Sequence, residues 1–179
     1  MQLREIHWEV TNKCNLRCKH CLPMSGSARP DELTTEEAMA ALDTFRDTGA
    51  SQVFFTGGEP FSRKDFPALL ERTAALGMRA SVITNATFIR NTTLELVKRL
   101  QVQLGVSLDG VNETTNDAIR GQGSFRQAVE ALKRCRDSGI STTLYVTVTA
   151  TNVEQLDALA RLARELGCNG VHFNEVTIA

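Results

Sequence analysis

A chain of 179 residues, 42% hydrophobic and 23% charged, is long enough for one domain with a sizeable core and carries no compositional sign of disorder. A net charge of −1 and a pI near 6.3 give no electrostatic case for nucleic acid or for an anionic membrane surface, so neither is expected as a partner. The N-terminus lacks a signal-peptide apolar run, no stretch approaches the ~18 apolar residues of a membrane span, and the five cysteines do not look like a disulfide framework, which together predict a cytoplasmic protein.

In chain order, a first strand sets Ile6, Trp8 and Val10 on one face against His7, Glu9 and Thr11 on the other. It leads into the stretch from Thr11 to Cys21, which places Cys14, Cys18 and Cys21 within eight consecutive residues. Gaps of three and two residues let one tight loop bring three sulfurs together, which metal coordination requires and a disulfide does not. A structural zinc site wants four protein ligands, whereas an iron–sulfur cube held by three cysteines leaves one iron free for a small molecule. The count therefore favours a four-iron, four-sulfur (4Fe-4S) cluster. Three alternatives stand beside it. A zinc-stabilised binding module would need His20, whose adjacency to Cys21 makes joint ligation awkward; a plain iron–sulfur electron carrier normally uses four cysteines; and simple core burial sits badly with Asn15, Arg17 and Lys19 in the same loop.

After an irregular polar passage over 23–31, Thr34 and Glu37 make a capping box, and Ala38, Leu42 and Phe45 form one buried helical stripe ended by Gly49. The strand–helix unit then recurs. A strand over 52–56 passes through Gly57-Gly58 into a helix with Ser62 and Asp65 at its start and Phe66, Leu69, Leu70 and Thr73 on its buried face. A strand over 79–84 precedes a short helix using Leu94, Val97 and Leu100; one over 104–108 precedes a helix opened by Ser124 with Gln127; one over 142–149 precedes a helix opened by Asn152 with Gln155; a last strand spans 171–176. Six strands alternating with five helices predict an α/β fold with a parallel sheet, right-handed crossovers and chemistry at the carboxyl ends of the strands. Periodicity does not separate a curved barrel from a flat doubly wound sheet. No linker or shift in composition divides the chain, so 1–179 is read as a single domain.

The cysteine stretch resembles the Cys-x-x-x-Cys-x-x-Cys signature of radical S-adenosylmethionine (SAM) enzymes, and the likeness extends over nearly the whole chain. Gly57-Gly58-Glu59-Pro60 is similar to the family's glycine-glycine-glutamate-proline motif, Val106-Ser107-Leu108-Asp109-Gly110 to its ribose-contacting strand, and Arg120-Gly121-x-Gly123-Ser124-Phe125 to a segment of its peptide-modifying subgroup. Two positions depart from the pattern: His20 where an aromatic is common, and Ala86 in the usual threonine-asparagine-glycine, here Thr84-Asn85-Ala86.

The resemblance implies a partial (β/α)6 barrel with helices outside, here lacking the sixth helix, and hence a fragment or minimal core of a longer enzyme. It implies that Cys14, Cys18 and Cys21 hold the 4Fe-4S cluster, that Gly57, Gly58 and Glu59 meet the SAM amino group, that Ser107 and Asp109 meet the ribose, and that Arg120 pairs with the SAM carboxylate, with Asn85 nearby. One electron from a donor such as flavodoxin or ferredoxin would cleave SAM to a 5′-deoxyadenosyl radical, which abstracts hydrogen from a peptide or protein or, alternatively, from a small molecule such as a haem precursor. Cys135 and Cys168 read as core or loop residues rather than a second cluster, and His172 as the histidine near the active mouth. On the fifth strand Leu144, Val146 and Val148 must face the helices, leaving Tyr145 and Thr147 inside; Tyr145 and His172 are therefore expected to contact substrate.

Overall fold

The structure, a computed structural model, describes residues 4–175; Val176, the end of the expected last strand, lies outside them. The elements in order are β1 (Glu5–Thr11), α1 (Thr35–Asp47), β2 (Gln52–Gly57), α2 (Phe66–Ala75), β3 (Arg79–Thr84), α3 (Asn91–Arg99), β4 (Gln103–Ser107), α4 (Glu113–Arg120), α5 (Ser124–Asp137), β5 (Thr142–Val148), α6 (Leu156–Glu165) and β6 (Gly170–Glu175). All strands are parallel and pair in sequence order, with β1 and β6 as the two open edges.

One face of the sheet carries the core. Val53, Phe55, Val82, Val106, Leu144 and Val146 are fully buried beneath the helices, and Phe55 meets Phe66 of α2 edge-to-face at 5.3 Å. The alternate residues, His7, Phe54, Ile83, Tyr145 and His172, stay half-buried or exposed. A doubly wound sheet would be covered on both faces; this one has helices on one face only, as a partial barrel does. Thr34 and Glu37 form the capping box of α1 with bonds of 3.2 and 2.9 Å.

Two expectations about helices are corrected. Among the described residues there are six α-helices rather than five, because α4 lies between β4 and α5. Its run of Thr, Asn and Asp has weak helix propensity, and Asn112 supports it by accepting from Thr115 N at 2.9 Å. Nor do the side chains of Ser124 and Asn152 cap helices, although Asn152 precedes the 3-10 turn over 153–155 that leads into α6. Gly123 occupies the N-cap of α5, and Asn152 instead donates to Asp109 O and Thr147 O, at 2.9 Å each, tying the ends of β4 and β5 together.

Candidate metal and cofactor site

The cysteine loop is pinned to the carboxyl ends of the strands by backbone bonds. Gly58 N donates to Thr11 O and Glu59 N to Lys13 O, both at 2.7 Å, while Gly26 N reaches Asn12 O and Cys14 N reaches Gly26 O, both at 2.9 Å. A Cβ at Gly57 would lie 2.3 Å from Thr11 O and one at Gly58 2.3 Å from Lys13 O, so the glycine pair is required first of all for the loop to seat against β2. Glu32 clamps the other side, accepting from Thr11 Oγ1 at 2.8 Å and Asn12 N at 2.7 Å.

Within the loop the three thiols are half-buried. Leu16 N donates to Cys14 Sγ and Ser25 N to Cys21 Sγ, each at 3.4 Å, and Asn85 Nδ2 lies 3.7 Å from Cys14 Sγ. Burial raises the Cys14 and Cys18 pKa values, so metal must displace their protons. Among the described residues no three His, Cys, Asp or Glu side chains converge on a point that one ion could occupy. His20 is engaged elsewhere, its Nε2 lying 2.6 Å from Asp109 Oδ2. Three spread thiols, two of which accept N–H bonds while Cys18 Sγ faces Arg120 O, suit a multi-iron cluster better than a single zinc ion.

Two fully buried carboxylates flank the loop. Glu59 accepts from Phe61 N at 3.2 Å, Thr84 Oγ1 at 2.8 Å and Asn85 N at 2.7 Å, all neutral donors, and burial pushes its pKa up to about 7. Asp109 accepts from Thr147 N at 2.7 Å and lies 2.6 Å from both His20 Nε2 and Arg120 Nε. Burial works to raise its pKa too, but Arg120, His20 and the Thr147 N–H together hold it below the usual carboxylate range. The Arg120 N–H does not point along its short contact, leaving Nε without a hydrogen bond; Ser25 Oγ, the other orphaned buried side-chain atom among the described residues, lies beside Cys21. Both orphans sit where a bound group would complete the site.

Glu59, Asn85, Arg120 and the three thiols are thus brought together. Ser107 is half-buried and shares a register row with Tyr145 and His172, but Asp109 lies beyond the end of β4 with both oxygens already engaged. Tyr145 and His172 stack at 4.9 Å, with the Tyr145 ring lying so close over Gly105 that a Cβ there would come within 2.6 Å of it. His172 is exposed, its Nε2 2.8 Å from Asn174 Oδ1. The expectation that His172 is the histidine near the mouth is incomplete. His20 belongs there too, lining a cavity of about 300 Å³ with Ile119 and Thr149; its place before Cys21 was the available signal. Cys135 is fully buried in the core on α5.

Residues 8–163 match the family model described as the radical SAM superfamily. The chain is 38% identical over 163 residues to an Fe-coproporphyrin III synthase of Methanosarcina barkeri, covering 89% of this chain and 41% of that one. It is 38% identical over 164 residues to the mycofactocin maturase MftC of Mycolicibacterium smegmatis, covering 90% and 42%. It therefore spans less than half the length of these relatives. The crystal structure of Streptococcus suis SuiB bound to S-adenosylmethionine superposes with a TM-score of 0.88 over 100% of this chain and 42% of that one; at 20% identity this speaks to the fold alone.

Proposed function

The chain belongs to the radical SAM superfamily, and from that membership we propose that it is the cluster- and SAM-binding core of a longer cytoplasmic enzyme acting on a peptide or protein. The observation that carries the cofactor assignment is Glu59: a fully buried carboxylate with no cation beside it, next to a three-thiol loop. When bound and reduced by one electron, the 4Fe-4S cluster supplies the reductive cleavage of SAM that generates a 5′-deoxyadenosyl radical. Cys14, Cys18 and Cys21 would hold the cluster. Glu59 would receive the SAM ammonium, whose charge stabilises the ionised carboxylate that burial disfavours. The polar atoms of Asn85 and Ser107, and the guanidinium of Arg120, whose Nε has no hydrogen-bond partner, would bind the rest of SAM, while Asp109 acts through His20 and Arg120 as a positioning residue. Tyr145 and His172 would orient substrate on the open inner face. All five cysteines are unpaired, which suits a reducing compartment, and no helix among the described residues is long and apolar enough to cross a membrane.

A peptide or protein substrate is supported by the segment from Arg120 to Phe125 and by the similarity to a maturase. A second reading, modification of a tetrapyrrole, is favoured by the equally similar Fe-coproporphyrin III synthase. The test is the complete enzyme, reconstituted anaerobically. Glu59→Gln is expected to retain iron and weaken SAM binding by about 1 to 3 kcal/mol; an unchanged SAM titration would remove Glu59 from the site. Tyr145→Phe and His172→Ala should keep uncoupled SAM cleavage and lose substrate turnover. Formation of 5′-deoxyadenosine that rises with a candidate precursor peptide, and not with an iron porphyrin, selects the first substrate class; the reverse selects the second.

A further inference from the structure

On the helix side of the cysteine loop runs a groove of about 430 Å³ whose lining includes Lys13, Cys14, Phe61, Lys64, Phe88 and Arg90. Lys13, Lys64 and Arg90 are exposed and form no ion pair among the described residues. Arg63, also in the lining, is turned inward to Val10 O and Asp65, and no acidic side chain lines the groove. Two helices begin here: α2, with Asp65 at its N-cap position paired to Arg63, and α3, with Arg90 itself at the N-cap; neither has a side-chain cap bond. Arg90 at the positive end of α3, with the unpaired Lys13 and Lys64 beside the same groove, concentrates positive charge that the fold alone does not favour and an anionic partner relieves. The apolar floor of Phe61, Phe88 and Pro67 gives such a partner something to desolvate besides charge.

We infer that this groove docks an acidic one-electron carrier protein of the flavodoxin or ferredoxin class. The inference rests on the reading of Cys14, Cys18 and Cys21 as the cluster site. Electron transfer falls off steeply with distance, and Cys14 itself lines the groove, so a carrier seated there would lie against one of the residues that would hold the cluster. The open inner face with Tyr145 and His172 belongs to the other half of the sheet, on β5 and β6, and remains free for substrate while the carrier is bound. Opposite charges across such a contact accelerate encounter and make it sensitive to salt.

The experiment uses the complete, reconstituted enzyme carrying Lys64→Glu and Arg90→Glu together, with Arg164→Glu on α6, which packs against β6 at the far edge of the sheet, as control. Cluster reduction is followed by stopped-flow absorbance and low-temperature EPR, with either a reduced bacterial flavodoxin or the uncharged photoreductant 5-deazariboflavin. Because each reversal puts an anion near a helix N-terminus, the double variant should be at least as stable as the parent, so any loss of rate is not a loss of fold. The expected result is a fall of at least tenfold in flavodoxin-driven reduction at low salt, a flattened salt dependence, and unchanged deazariboflavin reduction and iron content; Arg164→Glu should match the parent. A flavodoxin rate within twofold of the parent would overturn the docking site. So would lost binding of an acidic substrate peptide with flavodoxin reduction intact, which would make the groove a substrate surface. A parent enzyme that takes up no iron would overturn the cluster assignment itself, and the docking site with it.

Discussion

Glu59 and Asp109 are both fully buried carboxylates at the same rim of the sheet, yet they are opposite electrostatic objects. Asp109 is neutralised from within by Arg120 and His20, and its pKa is lowered; Glu59 meets only neutral donors, and its pKa rises to about 7. The thiol loop spans them: burial raises both Cys14 and Cys18, with the Glu59 charge adding to the rise at Cys14 and the Arg120 charge opposing it at Cys18. A buried anion already paired is scaffold, and a buried anion left without its cation marks where a cation is to be bound.

The sharpest way to break this comparison is to remove what lies between its two poles. Serine at Cys14, Cys18 or Cys21 should abolish or severely deplete iron measured after reconstitution, while Cys135→Ser and Cys168→Ser should retain it; equal depletion by the latter pair would reassign the ligands. Next in size is Asp109→Asn, which leaves Arg120 buried without its anion. It should destabilise the metal-free fold by about 3 kcal/mol or more in urea titration, and a loss under 1 kcal/mol would show that the pair is not structural.

Third comes pH. The Glu59 pKa is raised in the fold, so its contribution to stability is complete below the ordinary carboxylate range, about pH 4.5, and is lost as pH climbs through about 7. A shift from 4.5 to about 7 corresponds to about 3 kcal/mol. The Asp109 pKa is lowered, so its contribution is present above the ordinary range and lost only on acidification. Thermal melts of the metal-free protein from pH 5 to 8 should therefore fall with pH, and Glu59→Gln should flatten that slope whatever it does to the absolute melting temperature. A slope unchanged in the variant would mean that Glu59 is ionised throughout. The smallest effect belongs to Ala86, next to the Glu59 partner Asn85, which holds φ at +66°, in the left-handed region that favours glycine. Ala86→Gly should raise stability by up to about 1 kcal/mol; a loss would mean that the buried methyl outweighs the backbone.

What the sequence determined by itself was what local patterns encode. Alternation on β5, the helical stripe of α1, the Thr34 to Glu37 capping box and the cysteine spacing are all short-range, and the structure repeats them. Ser124 and Asn152 show where that reading fails: Ser, Asn and Asp bond to whatever lies nearest, and only the folded chain decides whether that is their own helix end or another strand. The same holds for the site. The spacing of Cys14, Cys18 and Cys21 was visible in the chain, but His20 and Asp109 are 89 residues apart, and their bond exists only because β4 delivers one against a loop carrying the other. Whether helices cover one face of the sheet or both was likewise decided by tertiary packing, since alternation fixes which residues are apolar and not what lies over the other side. Nor does anything in the motif around Glu59 state that its carboxylate would be buried without a cation. That depends on the long-range placement of every charge in the molecule, which only the assembled fold supplies.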